Sequence, residues 1–448
     1  MIKSGVLSSA TIPHGKIIFL FLGLLGIAVL IGTGLRVSLL IIYPFVALAL
    51  VLFYGLRPSG KSIILLGLAF VSFIFSFLNG TFLGYKMLSL YYMVPFLVLV
   101  FAHPPPVSRF GDLFKYFIIC TASVALLNDL IGFFQVASNP NSDDSFLGLY
   151  SQYSISLNGL VLINSLLFFY FFVKGLYLKS ITSLIIALFF LLCFVFGFYG
   201  AGLVVCAVAF IFSFLRFRLL SVLKTLGVGV LLIVALYFTM LLIKPYALEY
   251  NIANLTKLAS LDLEYGPRKI ISFYNYCISY PKDVKDFLLG SGPGTFNSRS
   301  AFMIGSPSYF QSISFIKSDQ QPYYFKNFAY SLWNERNTVK ELYLDGFRNQ
   351  PFSSLLAFLG EYGLIFTFAL ILLYYSYYKK VALIYRALKL DAEAEIAFRF
   401  FKYLIVLLPL LLVIDNFFEY PEIILLITMG IKFSHAQLLH LYKLKVAL

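Results

Sequence analysis

Four arginines fall in one polar stretch of an otherwise apolar chain: Arg268, Arg299, Arg336 and Arg348. A guanidinium is permanently charged, and its planar fork holds phosphate oxygens in pairs, so arginines gathered in one compartment suit a diphosphate. Taken singly, each reads equally as a solvated surface charge or a lipid-headgroup contact. Between them lies Phe287-Leu-Leu-Gly-Ser-Gly-Pro-Gly-Thr-Phe296, with Gly290, Gly292 and Gly294 alternating. Such a run lets backbone approach a ligand and turn its N–H groups on an anion. It also reads as a tight turn and nothing more. It lacks the Lys-Ser/Thr ending of a nucleotide-binding P-loop. Tyr323, Tyr324, Phe325, Phe328, Tyr330 and Trp333 offer flat faces for sugar rings, or anchors at a membrane interface.

For proton transfer the sequence offers carboxylates rather than imidazoles. Glu361 falls inside an apolar segment, where burying a charge is costly and a functional role is the default expectation. The same depth suits a structural partner for an arginine or a backbone group. Glu335 and Glu341 are alternatives in the polar stretch. Asp129, Asp415 and Glu419 come at the ends of apolar segments, where a carboxylate can face water. The four histidines, His14, His103, His435 and His440, fall outside the polar stretch. His435 and His440 are five apart, off the one-face spacing of a helical metal site, and read as an interfacial tail.

What must position these groups is a membrane. Of 448 residues, 60% are hydrophobic and only 12% charged, so no aqueous core could hide the apolar surface. The expected fold is an all-α, polytopic transmembrane bundle of about twelve helices with one large, mostly helical outward loop. Spans are expected near 17–33, 37–55, 62–79, 83–101, 113–136, 153–173, 180–197, 199–215, 219–243, 351–378, 401–418 and 421–441. The chain thus divides into 1–243 with nine helices, the loop 244–350, and 351–448 with three helices and a tail. Lys and Arg alternate with loop parity: Arg57 and Lys61, Arg109 and Lys115, Lys174 and Lys179, and Lys379 to Lys402 fall on one side. The positive-inside rule then makes both termini cytoplasmic and turns 244–350 outward, which in a bacterial inner membrane means the periplasm. The same rule accounts for the net charge of +14 without nucleic acid. Within the loop, Ile270, Phe273, Tyr274, Cys277 and Ile278 recur at helical spacing, so a helix should start after Gly266-Pro267 and end at Pro281. It would lie against the membrane or on the bundle mouth.

The order of these motifs resembles the O-antigen polymerase and ligase superfamily. Pro267-Arg268, the amphipathic segment, Tyr280-Pro281 and Leu289-Gly-Ser-Gly-Pro-Gly-Thr-Phe296 are similar to its arginine-led helix and glycine turn in a large periplasmic loop. Asn349-Gln-Pro-Phe-Ser-Ser-Leu-Leu-Ala-Phe-Leu-Gly-Glu-Tyr-Gly-Leu364 resembles its next element, and Gly148-Leu-Tyr-Ser-Gln-Tyr-Ser-Ile-Ser-Leu-Asn158 is a looser match. The resemblance implies a GT-C-like, metal-independent inverting glycosyltransferase with no cofactor. Its donor would be a glycan on undecaprenyl diphosphate, held by Arg268, Arg299, Arg336 and Arg348, with Arg268 and Glu361 catalytic. Membrane lipid is the surrounding partner, and a chain-length regulator is a family expectation. Ligases of this superfamily carry a histidine before the helix that follows the loop. Here that stretch is Asp345-Gly-Phe-Arg-Asn-Gln-Pro351, which points to a Wzy-type polymerase over a ligase. The rival class is a lipid-linked oligosaccharide flippase or other transporter, which would show short loops and charges lining a central cavity. Mid-span charge is sparse in this sequence, which favours the enzyme.

Overall fold

The computed structural model describes residues 36–77, 82–106, 112–138, 157–197, 200–215, 268–280, 283–306, 316–333, 351–388 and 391–447, with scattered positions between them. Among these residues the chain is all-helical. The helices are α1 (Arg36–Tyr54), α2 (Gly60–Ser76), α3 (Leu83–Phe101), α4 (Leu113–Ser138), α5 (Leu157–Leu178), α6 (Ile181–Phe196) and α7 (Gly200–Phe214). Three short helices follow, α8 (Arg268–Ile278), α9 (Val284–Leu289) and α10 (Arg299–Gly305). The chain ends in α11 (Ser354–Ala387), α12 (Ala392–Ile414) and α13 (Pro421–Ala447).

Six of the described helices are long and apolar enough to cross a membrane, namely α3, α4, most of α5, α11, α12 and most of α13. Four shorter apolar helices accompany them at Tyr43–Tyr54, Gly60–Ser76, Ile181–Phe196 and Gly200–Phe214. The spans expected near 17–33 and 219–243 lie outside the described residues. Lipid as solvent is written on the outer surface: Phe45, Leu52, Phe134, Ile181 and Ile185 are each more than 60% exposed on helices whose other faces are packed. Ser59 and Ser180 start α2 and α6 by accepting hydrogen bonds from the backbone N–H three residues on. Pro44, Pro95 and Pro409 are carried inside helices, as membrane helices tolerate.

Helix α12 is the hub, packing on α13, α7 and α5. It starts nine residues before the expected 401, because the polar opening Ala392-Glu-Ala-Glu-Ile-Ala-Phe-Arg is helical too. Its Glu395 and Arg399 form an i,i+4 ion pair at 2.7 Å, and Arg399 also donates to the Ser213 carbonyl of α7. Buried charge inside helices is therefore commoner than the sequence reading allowed. Asp129 within α4 is fully buried and accepts from Asn164 of α5 at 2.9 Å. Lys432 within α13 is fully buried as well.

The polar stretch is not held away from the bundle. Residues 290–305 are all buried, and α10 packs on α3. A second core forms there from Tyr276, Tyr280, Phe296, Phe302, Tyr324, Phe325 and Phe352, with Phe328, Tyr330 and Trp333 packed at its edge. The aromatic residues expected to stack on sugars or anchor the interface are thus mostly spent on this core, and Tyr323 alone of the six is exposed at 48%. Helix α8 begins at Arg268, where Gly266-Pro267 predicts. Its packed face is Lys269, Ile271, Ser272 and Tyr276, while Tyr274, Cys277 and Ile278 of the expected apolar stripe point outward.

Candidate functional site

The site is built where α11 breaks. By composition Ser354–Ala387 is one continuous crossing, but the backbone widens into a π turn over Phe358–Tyr362. Gly363 then adopts φ +85°, a left-handed conformation that ends the ladder before α11 resumes. A helix that stops inside the protein leaves carbonyls without intrahelical partners. The glycine turn supplies them. Ser291 N–H donates to the Gly360 carbonyl at 2.8 Å and Gly292 N–H to the Glu361 carbonyl at 3.0 Å. Tyr280 Oη and Ser72 Oγ each add a bond of 2.7 Å to the same two carbonyls.

The turn in return is folded around the side chain of Glu361. Gly294 N–H donates to Oε2 at 2.6 Å, while Phe296 N–H and Ser298 N–H donate to Oε1 at 3.1 and 2.8 Å. The glycines do present their N–H groups to an anion, and that anion is the protein's own carboxylate. Close approach is why the residues are glycine. A Cβ on Gly290 would stand 2.3 Å from the Glu361 carbonyl oxygen, and one on Gly294 would stand 2.1 Å from that of Tyr85 in α3. Glu361 is fully buried. It anchors the turn, and its two oxygens are occupied by backbone donors rather than turned to an open cleft.

Immediately after the turn, Asn297 ties three segments together. Its Nδ2 donates to the Pro351 carbonyl at 3.0 Å, its Oδ1 accepts from Ser353 N–H at 2.8 Å, and its carbonyl accepts from Asn416 Nδ2 at 2.7 Å. A second carboxylate repeats the first one's device. Glu419, in a single 3₁₀ turn between α12 and α13, accepts from the N–H groups of Arg299 and Ser300 at the start of α10, and from Ser300 Oγ. A carboxylate at a helix N-terminus is favoured by the exposed donors there. Burial pushes the Glu419 carboxyl up to about 8, with the hydrogen bond from the Ser300 hydroxyl opposing and the nearby Glu361 charge adding to the rise. Asp415 and Glu419, read from sequence as water-facing, are instead 5% and 0% exposed.

Two of the four arginines can be placed. Arg268 is half-buried at the head of α8. Arg299 is 1% exposed, with its guanidinium stacked 4.5 Å from the Tyr420 ring. Next to Arg268, Lys269 donates to the Ile414 carbonyl at the end of α12. Burial pushes Asp415 up, and the charges of Lys269 and Arg299 both oppose that rise. One charge from the head of α8 and one from the first turn of α10 therefore both act on Asp415. Arg336, Arg348, Glu335 and Glu341 lie outside the described residues, as does most of Gly148–Asn158. Sequence reasoning missed Lys269, Asn297, Asp415 and Glu419 as members of this cluster. The only signal for them was polar residues beside apolar segment ends, which solvent exposure explains equally well.

Compared with known proteins, the chain matches no family model and no curated protein. The conclusion its fold and site support without further assumption is the class: a helical membrane-embedded protein whose glycine turn is locked into a broken helix by a buried glutamate.

Proposed function

We propose that this chain is a bacterial surface-polysaccharide polymerase of the O-antigen type, acting on glycans carried by undecaprenyl diphosphate at the periplasmic face of the inner membrane. One observation carries the reading. Two of the stretches that carry the sequence resemblance, Leu289–Phe296 and Asn349–Leu364, are far apart in the chain and meet through the bond from Gly294 N–H to Glu361. Half-buried Arg268 at the head of α8 supplies a cation for a phosphate-bearing donor.

In this reading a hydroxyl at the non-reducing end of one lipid-linked repeat attacks the anomeric carbon of another. The bond to the diphosphate oxygen breaks, configuration inverts, and undecaprenyl diphosphate leaves. Arg268 binds that diphosphate and offsets the charge it gains, helped by Arg336 and Arg348. Arg299, held against Tyr420, acts as the inner wall of the site. Glu361 is a positioning residue, because its oxygens already hold the turn. The base then falls to Glu335 or Glu341. Ligation to a lipid A core is the close alternative, disfavoured by the missing histidine in Asp345–Pro351. Translocation of lipid-linked oligosaccharide is the rival of another class, and the buried charges of Asp129 and Lys432 are what it draws on.

The test is Arg268→Ala in cells lacking their own polymerase, with lipopolysaccharide length as the readout. Loss of the ladder at normal protein abundance supports the reading. A full ladder from correctly inserted variant overturns the role of Arg268.

A further inference from the structure

The opposite end of the bundle carries a second, separate site. Helix α3 is 19 residues long, so it puts about 28 Å between the glycine turn at its start and His103 just beyond its end. There a cavity of about 250 Å³ opens between the run Pro104–Pro106 and the side chains of Lys380, His435 and Lys443, with His103 at its wall.

A hydrogen-bond chain fixes what His435 offers. Lys432, fully buried, caps the end of α3 by donating to the carbonyls of Val100 and Ala102 at 2.7 and 2.6 Å. Its third proton goes to Tyr377 Oη at 3.3 Å. With that oxygen accepting from an ammonium, the tyrosine's own proton turns to His435 Nδ1, 3.1 Å away. Nδ1 is then the acceptor and Nε2 carries the ring proton. His435 is 2% exposed and its Nε2 has no hydrogen-bond partner among the described residues. A buried donor left without an acceptor is costly, so this one calls for a ligand oxygen.

The charges around the cavity agree. His103 and His435 both feel Lys380 and Lys432, and His103 also feels Arg57. Lys61 faces Lys380. Among the described residues, no carboxylate enters this set. Cations gathered without a counter-charge, around a donor without an acceptor, describe a receptor for an oxyanion. We propose that this cavity binds a phosphate group, with His435 Nε2–H as the buried donor and the Lys380 and Lys443 ammonium groups closing over it. The phosphate is the headgroup of an anionic phospholipid or free phosphate, and a basic pocket between membrane helices suits either.

The experiment measures thermal unfolding of the purified full chain in neutral detergent, titrated with short-chain phosphatidylglycerol or with inorganic phosphate at matched ionic strength. Lys380→Ala/Lys443→Ala removes two exposed side chains, so folding is preserved. Lys379→Ala is the control, because its ammonium lies over the Tyr375 ring. Wild type and control should be stabilised saturably. The double variant should bind roughly tenfold or more weakly, from the loss of two charge-assisted contacts. A response to phosphatidylglycerol alone identifies a lipid headgroup, and a response to phosphate as well identifies the bare anion. No saturable shift in wild type, or equal shifts in wild type and double variant, overturns the proposal.

Discussion

Replacing Glu361 by glutamine separates anchoring from catalysis. The carboxylate accepts three backbone N–H groups, one on Oε2 and two on Oε1. A glutamine has one carbonyl oxygen. Placed at Oε1 it keeps Phe296 and Ser298 but turns its NH2 on the Gly294 N–H, which stood 2.6 Å from an oxygen. The other orientation leaves two donors facing NH2. Orphaning one buried donor costs roughly 1–3 kcal/mol. Whole-protein stability is about 5–15 kcal/mol, so the loss is large and falls first on the turn. Hydrogen exchange over 290–298 and thermal unfolding of Glu361→Gln in detergent read it directly. Exchange there should rise, the melting temperature should fall, and under the proposed function polymer synthesis should fall with them. A variant with wild-type exchange and melting but no activity would refute anchoring and make Glu361 the acid or base.

Two further outcomes follow from the same geometry. Gly294→Ala places a Cβ 2.1 Å from the Tyr85 carbonyl oxygen at φ +73°, where strain alone costs about 1–3 kcal/mol. Its yield of folded protein should drop sharply, and a wild-type melting temperature would count against the turn as described. Glu419 titrates near 8 when folded, against an ordinary 4.5. The folded chain therefore keeps a proton that the unfolded chain has lost, so this contribution is full below about pH 4.5 and is lost as pH rises through 8. Melting of wild type should decline from pH 6 to pH 9 more steeply than that of Glu419→Gln, and parallel slopes would sink the assignment.

The helical membrane class was legible because hydropathy and span length act locally and leave few solutions. The start of α8 was legible too, since Gly266-Pro267 fixes it whatever packs above. The face of α8 was not, because an apolar stripe beside a membrane need not mark the protein core. The start of α12 was missed since Glu395 and Arg399 cancel each other when buried, and sequence shows two charges rather than one pair. Glu361 could be singled out from its depth alone, yet its task depended on a glycine turn some seventy positions earlier. Glu419 and Asp415 looked ordinary, because a carboxylate at a helix end faces water unless another segment folds over it, as 290–306 does here.

The central claim is a transfer reaction on lipid-linked glycan, and reconstitution tests it most directly. Purified chain in liposomes, supplied with undecaprenyl-diphosphate-linked repeat units and neither ATP nor an ion gradient, should convert them to a ladder of polymer and release undecaprenyl diphosphate. Unchanged repeat units would contradict the account, and their appearance in the opposite leaflet without any polymer would assign the chain to translocation instead.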